Sequence, residues 1–222
     1  MSGYDQLCPI AQALEVFGER WTLLVVRELL CGSHRFTDLQ RGLPLMSRSV
    51  LAARLRSLAD AGVVERRDDG YFLTEAGEEL GPIVIACGNW GKRWAERKIK
   101  DADVDVGLLM WDMRRRIDLD ALPSGEVVVE MEFRGAPRGK GRFWLHFKGG
   151  EAELCLTKPR RGVDLVVRTT PRAMAEIWLG DTSFSAAVAA GAVVLDGPRG
   201  LARTFPRWLR LSVFAPIERA TS

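Results

Sequence analysis

The chain has 222 residues, 47% of them hydrophobic and 27% charged, with a formal net charge of +3. That length suits one large domain or two small ones, and the composition is that of a folded protein, not a disordered tail. No run of about 18 apolar residues occurs, which excludes a membrane-spanning helix. The polar start Tyr4-Asp5-Gln6 argues against a secretory leader, so a cytoplasmic chain is expected.

Cys8, Cys31, Cys87 and Cys155 are widely spaced and form no CxxC pair, and the only histidines are His34 and His146. A disulfide framework and a metal site are therefore not expected. Neither histidine has a nearby Ser, Cys or carboxylate arranged for nucleophilic catalysis, and neither GxxxxGK[ST] nor GxGxxG is present. No cofactor and no enzymatic activity are expected.

Pro9–Phe17 reads as a short amphipathic helix opened by proline and ended by Gly18. Arg20–Cys31 is a richly apolar helix stopped by Gly32-Ser33, and Phe36–Arg41 is a third, broken by Gly42-Leu43-Pro44. Ser47 is suited to cap a longer helix running to about Ala61, with Gly62 closing it. Leu51, Leu55 and Leu58 make that helix's buried stripe, while Ser49, Ala53, Arg56 and Asp60 stand opposite, with Ala52 on the flank. Val63–Arg67 and Tyr71–Thr74 are strands joined by Asp68-Asp69-Gly70, a hairpin signal. Helix, turn, helix and hairpin in this order predict a winged helix-turn-helix. Arg35–Arg67 holds seven arginines against Asp38, Asp60 and Glu65, while residues 1–98 as a whole are balanced at 13 of each sign. Basic charge is thus concentrated on the reading unit.

Thr74 to about Lys98 begins with a capping segment and continues through Pro82 as a helix. On it Ile83, Cys87, Trp90 and Trp94 recur every three or four residues, a stripe too apolar for a lone surface helix and expected to form a dimer seam. Residues 100–106 read as a charged linker. Beyond it Glu126–Phe133, Gly141–Phe147, Glu151–Thr157 and Val163–Thr169 alternate as strands. Helices are expected at Pro171–Leu179, Ser183–Ala190 and Leu201–Leu211, with one more strand at Val193–Gly197. The fold class is α+β: a winged-helix domain over residues 1–99 and a separate α+β domain over 106–216.

The N-terminal third resembles the HxlR-type winged-helix regulators, a bacterial family. The resemblance rests on Cys8-Pro9, Gly18-Glu19-Arg20-Trp21-Thr22-Leu23-Leu24, Arg27-Glu28-Leu29, Gly32-Ser33-His34-Arg35-Phe36, Asp38-Leu39, Ser47, Leu51-Ala52-Ala53-Arg54-Leu55-Arg56-Ser57-Leu58, Gly62 and Arg66. It implies a transcriptional regulator that binds inverted-repeat operators in double-stranded DNA as a homodimer paired through its first and last helices. It also marks Cys8 as the place of a family sensor cysteine for quinones, aldehydes or oxidants. A buried structural cysteine is the plainer reading of Cys8. The C-terminal domain resembles the sterol-carrier-protein family (type two) through Asp164-Leu165-Val166-Val167, Thr170-Pro171, Ile177-Trp178-Leu179-Gly180, Phe184, Ala187, Val193–Gly197 and Phe205–Leu209. That resemblance implies an apolar small molecule or lipid as ligand, for which Phe143, Leu145, Ile177, Trp178, Phe184, Phe205 and Trp208 are the candidates; a plain packed core fits the same residues.

In a winged helix the helix starting at Ser47 enters the major groove with its N-terminal residues leading. Arg48, Ser49 and Arg56 are the candidates for bases or nearby phosphates, and Ala53 allows close approach. Arg54 points toward the buried side, for a phosphate or structural role. Arg35 and Thr37 open the preceding helix and suit a phosphate. Arg66 and Arg67 flank the wing, whose tip, Asp68-Asp69, is acidic and puts deep wing insertion in doubt. Three functions compete: a ligand-responsive regulator, a redox regulator acting through Cys8, and a lipid carrier that uses the winged helix only to dimerise.

Overall fold

A computed structural model of the chain describes residues 4–95 and 99–220, so the expected helix end at 96–98 lies outside the described residues. The chain divides into two compact units, Met1–Gly91 and Lys92–Ser222.

The first unit opens with α1 (Pro9–Phe17), α2 (Thr22–Leu30), α3 (Phe36–Gly42) and α4 (Arg48–Asp60). Then follow β1 (Val64–Arg67), β2 (Gly70–Leu73), α5 (Glu75–Glu78) and α6 (Gly81–Trp94). The expected helix at Arg20 starts two residues later, because Trp21 is left-handed at φ 80° and cannot sit inside a right-handed helix. Ser47 caps α4 as expected: its Oγ accepts the Val50 N–H at 3.3 Å. Gly62, at φ 71°, ends the turn after it. Thr74 belongs to no strand. Its Oγ1 accepts the Gly77 N–H at 3.3 Å and starts α5, so β2 stops at Leu73. Leu51, Leu55 and Leu58 are buried with Val25, Val26, Leu29, Leu39 and Val64 in one core.

The second unit begins with α7 (Val106–Arg115), in a stretch for which the sequence reading has no element. Its signals are ordinary: the Asp105 carboxylate accepts the Leu108 N–H at 3.0 Å, and Val106, Leu109, Met110 and Met113 recur at helical spacing and are buried. Strands β3 (Val127–Phe133), β4 (Arg142–Lys148), β5 (Glu151–Cys155), β6 (Leu165–Thr169) and β7 (Val194–Asp196) form a sheet in the order β5-β4-β3-β6-β7. Only the β3–β6 pair among these neighbours is parallel. Helices α8 (Pro171–Trp178), α9 (Phe184–Ala189) and α10 (Arg199–Trp208) complete the unit.

Alternation sorts the sheet's two faces. Val129, Met131, Phe133, Phe143, Leu145, Phe147, Leu165 and Val167 share one core with the apolar faces of α7, α8 and α10. The other face carries an ionic chain: Asp196 to Arg168 (3.0 Å), Arg168 to Glu132 (3.2 Å), and Glu132 to Arg142 (3.4 Å). The expected β6 start at Val163 moves to Leu165 because Asp164 is used to tie β3. Its N–H donates to the Val128 carbonyl (2.9 Å), and its carboxylate accepts the Val128 N–H (2.8 Å) and pairs with Arg161. Partial desolvation opposes ionisation of Asp164, but the Val128 N–H and the Arg161 guanidinium outweigh it and hold the carboxyl below its usual range. The last helix, expected to reach Leu211, ends at Trp208. Leu209 bridges antiparallel to Ile117, and the Asp118 N–H donates to the Trp208 carbonyl at 2.8 Å, pulling the chain into extended pairing.

Candidate nucleic-acid interface

The turn between α3 and α4 is held from inside. Gln40 Nε2 donates to the carbonyls of Leu43 (3.2 Å) and Met46 (2.6 Å), fixing the angle at which α4 leaves. Beneath it Glu28 is fully buried, with its carboxylate on Arg27 and packed where any side chain at Gly42 would have to go. A buried carboxylate is costly unless paired and hydrogen-bonded, so Arg27 and Glu28 act as a unit.

On this frame α4 offers Arg48, Ser49 and Arg56 as exposed residues, with Ala52 and Ala53 half-buried between them. Arg56 has no ion-pair or hydrogen-bond partner among the described residues and is free to reach outward. Arg48 lies over the Phe36 ring at 5.2 Å, and Ser49 Oγ is 3.1 Å from Ser47 Oγ. Arg54 behaves differently. It pairs with Glu19, and its Nε donates to the Arg20 carbonyl at 3.3 Å, bracing α4 against the α1–α2 turn.

The wing is placed by a residue that sequence reasoning assigned no role. His34 accepts the Tyr71 N–H on its carbonyl (2.9 Å), approaches the Tyr71 carbonyl with Nδ1 (3.1 Å) and stacks on Phe72 at 4.2 Å. Gly70 makes this possible, since a Cβ there would lie 2.5 Å from the His34 carbonyl oxygen. Nothing local in the sequence announces it, because the partners are 37 residues apart. The consequence is that Arg35, Arg66 and Arg67 line one shallow cavity of about 480 Å³, together with Phe36, Tyr71 and the two tip aspartates. Arg66 lies over Tyr71 at 6.0 Å; Arg67 lies over Phe72 at 4.4 Å and pairs with Glu65. Thr37 is exposed at the start of α3. Such a concavity holds donors and positive charge of the kind that grips a phosphate, while the exposed part of α4 can present donors to base edges.

A model of the HxlR-like helix-turn-helix family matches residues 16–99. The uncharacterized HTH-type transcriptional regulator YvaP of Bacillus subtilis is 34% identical over 106 residues, which are 44% of this chain and 97% of YvaP. The chain belongs to the HxlR-like helix-turn-helix family. Its first unit is thus a DNA-binding helix-turn-helix of a transcriptional regulator. Mb3122 of Mycobacterium bovis is 38% identical over 95 residues, 40% of this chain and 60% of that protein. Among solved structures, quinone-bound YodB from B. subtilis is 33% identical, with a TM-score of 0.36, covering 38% of this chain and 97% of YodB.

The remaining expected sites fall elsewhere on this HxlR-like protein. Cys8 is exposed, not buried, and stands at the N-cap of α1 without a side-chain capping bond. Ile83, Cys87, Trp90 and Trp94 are all exposed on α6, with Trp90 at 65% and Trp94 at 57%. Leu7, Ile10 and Leu14 are likewise exposed at α1. Phe143, Leu145, Ile177, Phe205 and Trp208 are buried in the second core, and Trp178 and Phe184 pack against it. The rings of Phe184, Phe205, Trp208 and Phe147 follow one another edge to face at 5.4–6.0 Å. A cavity of about 820 Å³ in the second unit is lined instead by ions and small apolar groups, Lys100, Arg172, Glu176, Asp181 and Ile217 among them.

Proposed function

We propose that this HxlR-like protein is a homodimeric, sequence-specific regulator that reads an inverted-repeat operator with α4. The observation that carries the reading is the division of labour on that helix: Arg54 is held by Glu19 and the Arg20 carbonyl, while Arg56 is exposed and unpaired. A helix that braces itself with one arginine keeps the other for a base edge or phosphate. The cavity under Arg35, Arg66 and Arg67 supplies a phosphate contact that fixes register. The large apolar side chains left exposed on α1 and α6 supply the dimer contact, since their exposure has no stabilising role in a lone unit. Selection from a pool of random-sequence duplexes tests this. Two-fold symmetric sites are expected to enrich, and enrichment of none, with no salt-sensitive binding, would refute it.

A second input is favoured by a specific observation. Cys8 is exposed at the start of α1, where its sulfur is accessible to an electrophile. Oxidant-dependent release of DNA that persists in Cys8→Ser would dismiss it. The apolar-ligand reading of the second unit requires a molecule to part the ring stack of Phe184, Phe205 and Trp208. A native mass spectrum of gently purified protein is expected to show a co-purifying apolar adduct, and an empty spectrum after lipid challenge counts against the idea.

A further inference from the structure

Outside its basic Arg35–Arg67 stretch the first unit is acidic, and as a whole it does not carry the chain's net positive charge. Residues 1–91 hold nine Lys and Arg against twelve Asp and Glu, whereas residues 92–222 hold 23 against 17. Within the second unit several arginines are spent on carboxylates. Arg168 pairs with Glu132 and Asp196, Arg172 with Glu176, Arg210 with Asp118, and Arg219 with Asp181.

Helix α10 carries three arginines that are not. Arg199, Arg203 and Arg207 recur at i, i+4 and i+8, all exposed, and none has an ion-pair or hydrogen-bond partner among the described residues. No acidic residue occurs between Asp196 and Glu218, so nothing local neutralises the stripe. Like charges at i, i+4 destabilise a helix, and only Arg207, in the last turn, gains from the helix dipole in return. The opposite side of α10 is already used: Phe205 and Trp208 are 0% and 1% exposed in the core.

We infer that the arginine stripe of α10 is a second DNA-contacting surface, which grips the phosphate backbone of duplex DNA without reading sequence. Four helical residues rise about 6 Å, so the three guanidinium groups are spread over about 12 Å of helix. That length faces several phosphates, which recur every 3.4 Å of axis on each strand. A basic amphipathic helix can also serve a membrane, but then its apolar face must enter the lipid. Here that face is locked in the protein core, and only the charged side is presented. The inference rests on the DNA-binding reading of the first unit, because it is the same polyanion that is held.

The test uses the full-length protein and a 40-base-pair duplex of random sequence, with affinity measured by fluorescence anisotropy across salt concentrations. Each phosphate contact adds about 0.9 to the slope of log affinity against log salt. Arg199→Gln/Arg203→Gln/Arg207→Gln is therefore expected to flatten the slope by about 2.7, so a doubling of salt costs the parent chain about six-fold more affinity than the variant. An Arg48→Gln/Arg56→Gln protein serves as the second arm. The stripe's contribution is expected to persist in that background, so that removing it flattens the slope again. An unchanged slope in the triple variant, with the parent binding DNA, overturns this inference alone. A parent chain that binds no duplex overturns the DNA reading as well. Stripe-dependent binding to phosphatidylserine vesicles, with the DNA slope unmoved, would overturn it in favour of a membrane.

Discussion

Replacing Arg54 and Arg56 separately by alanine separates bracing from reading on one helix. Arg54 has 22% of its side chain exposed, pairs with Glu19 at 41%, and donates to the Arg20 carbonyl at 3.3 Å. A partly exposed ion pair contributes about 0.2–1 kcal/mol and a charged hydrogen bond somewhat more, so with discounting for solvent Arg54→Ala should cost about 1–2 kcal/mol. For a unit of this size that is a fall in Tm of roughly 5–12 °C. Arg56 is exposed and unpaired, so its removal should stay within about 0.5 kcal/mol in stability. It should instead weaken binding to a selected operator by about 1–3 kcal/mol, which is roughly five- to 150-fold. Thermal denaturation followed by circular dichroism gives the first pair of numbers, and anisotropy on the selected site gives the second. The reasoning fails if both variants melt alike, or if Arg56→Ala binds as tightly as the parent.

Other consequences follow from the same geometry. Gly70→Ala drives a Cβ to 2.5 Å from the His34 carbonyl oxygen, a backbone atom, and should destabilise the wing by about 1–3 kcal/mol, seen as faster amide exchange at Tyr71. Trp208→Ala empties a site packed on Phe147 and Phe205 at 5.4 and 5.5 Å and should cost about 3–5 kcal/mol in urea denaturation. Trp90→Asp puts a charge on the exposed α6 stripe and should break the proposed dimer, sedimenting as a monomer at concentrations where the parent is expected to dimerise. Asp164 titrates below its unfolded value of about 3.9, so its contribution is complete above that pH and is lost as pH falls through the lowered folded value. Asp164→Asn should therefore be less stable than the parent by about 0.5–1 kcal/mol at pH 7, and the gap should close on acidification; a gap unchanged at pH 2.5 would be inconsistent with the Arg161 pairing.

The elements that sequence displays most plainly are those whose stabilising partners lie within one helical turn. The Ser47 cap, the Leu51–Leu55–Leu58 stripe, the capping segment at Thr74 and the wing hairpin at Asp68-Asp69-Gly70 are of this kind. Helix α7 has equally local signals in its Asp105 cap and apolar spacing, yet it follows the charged 100–106 stretch without an expected element. Strand and helix ends were missed where a distant partner moved them, as Ile117 did for Leu209 and Val128 for Asp164.

Residue order and spacing alone therefore determined that this is a helix-turn-helix chain with a second α+β domain, because periodicity, caps and turn chemistry are short-range properties. Only the tertiary structure decided which arginines are spent and which are free. Arg54 meets Glu19 across 35 positions, and Arg35, Arg66 and Arg67 converge because His34 holds the wing. On α10, three arginines have no ion-pair partner among the described residues. Charge pairing depends on distance in space, and distance in space is what a sequence does not display.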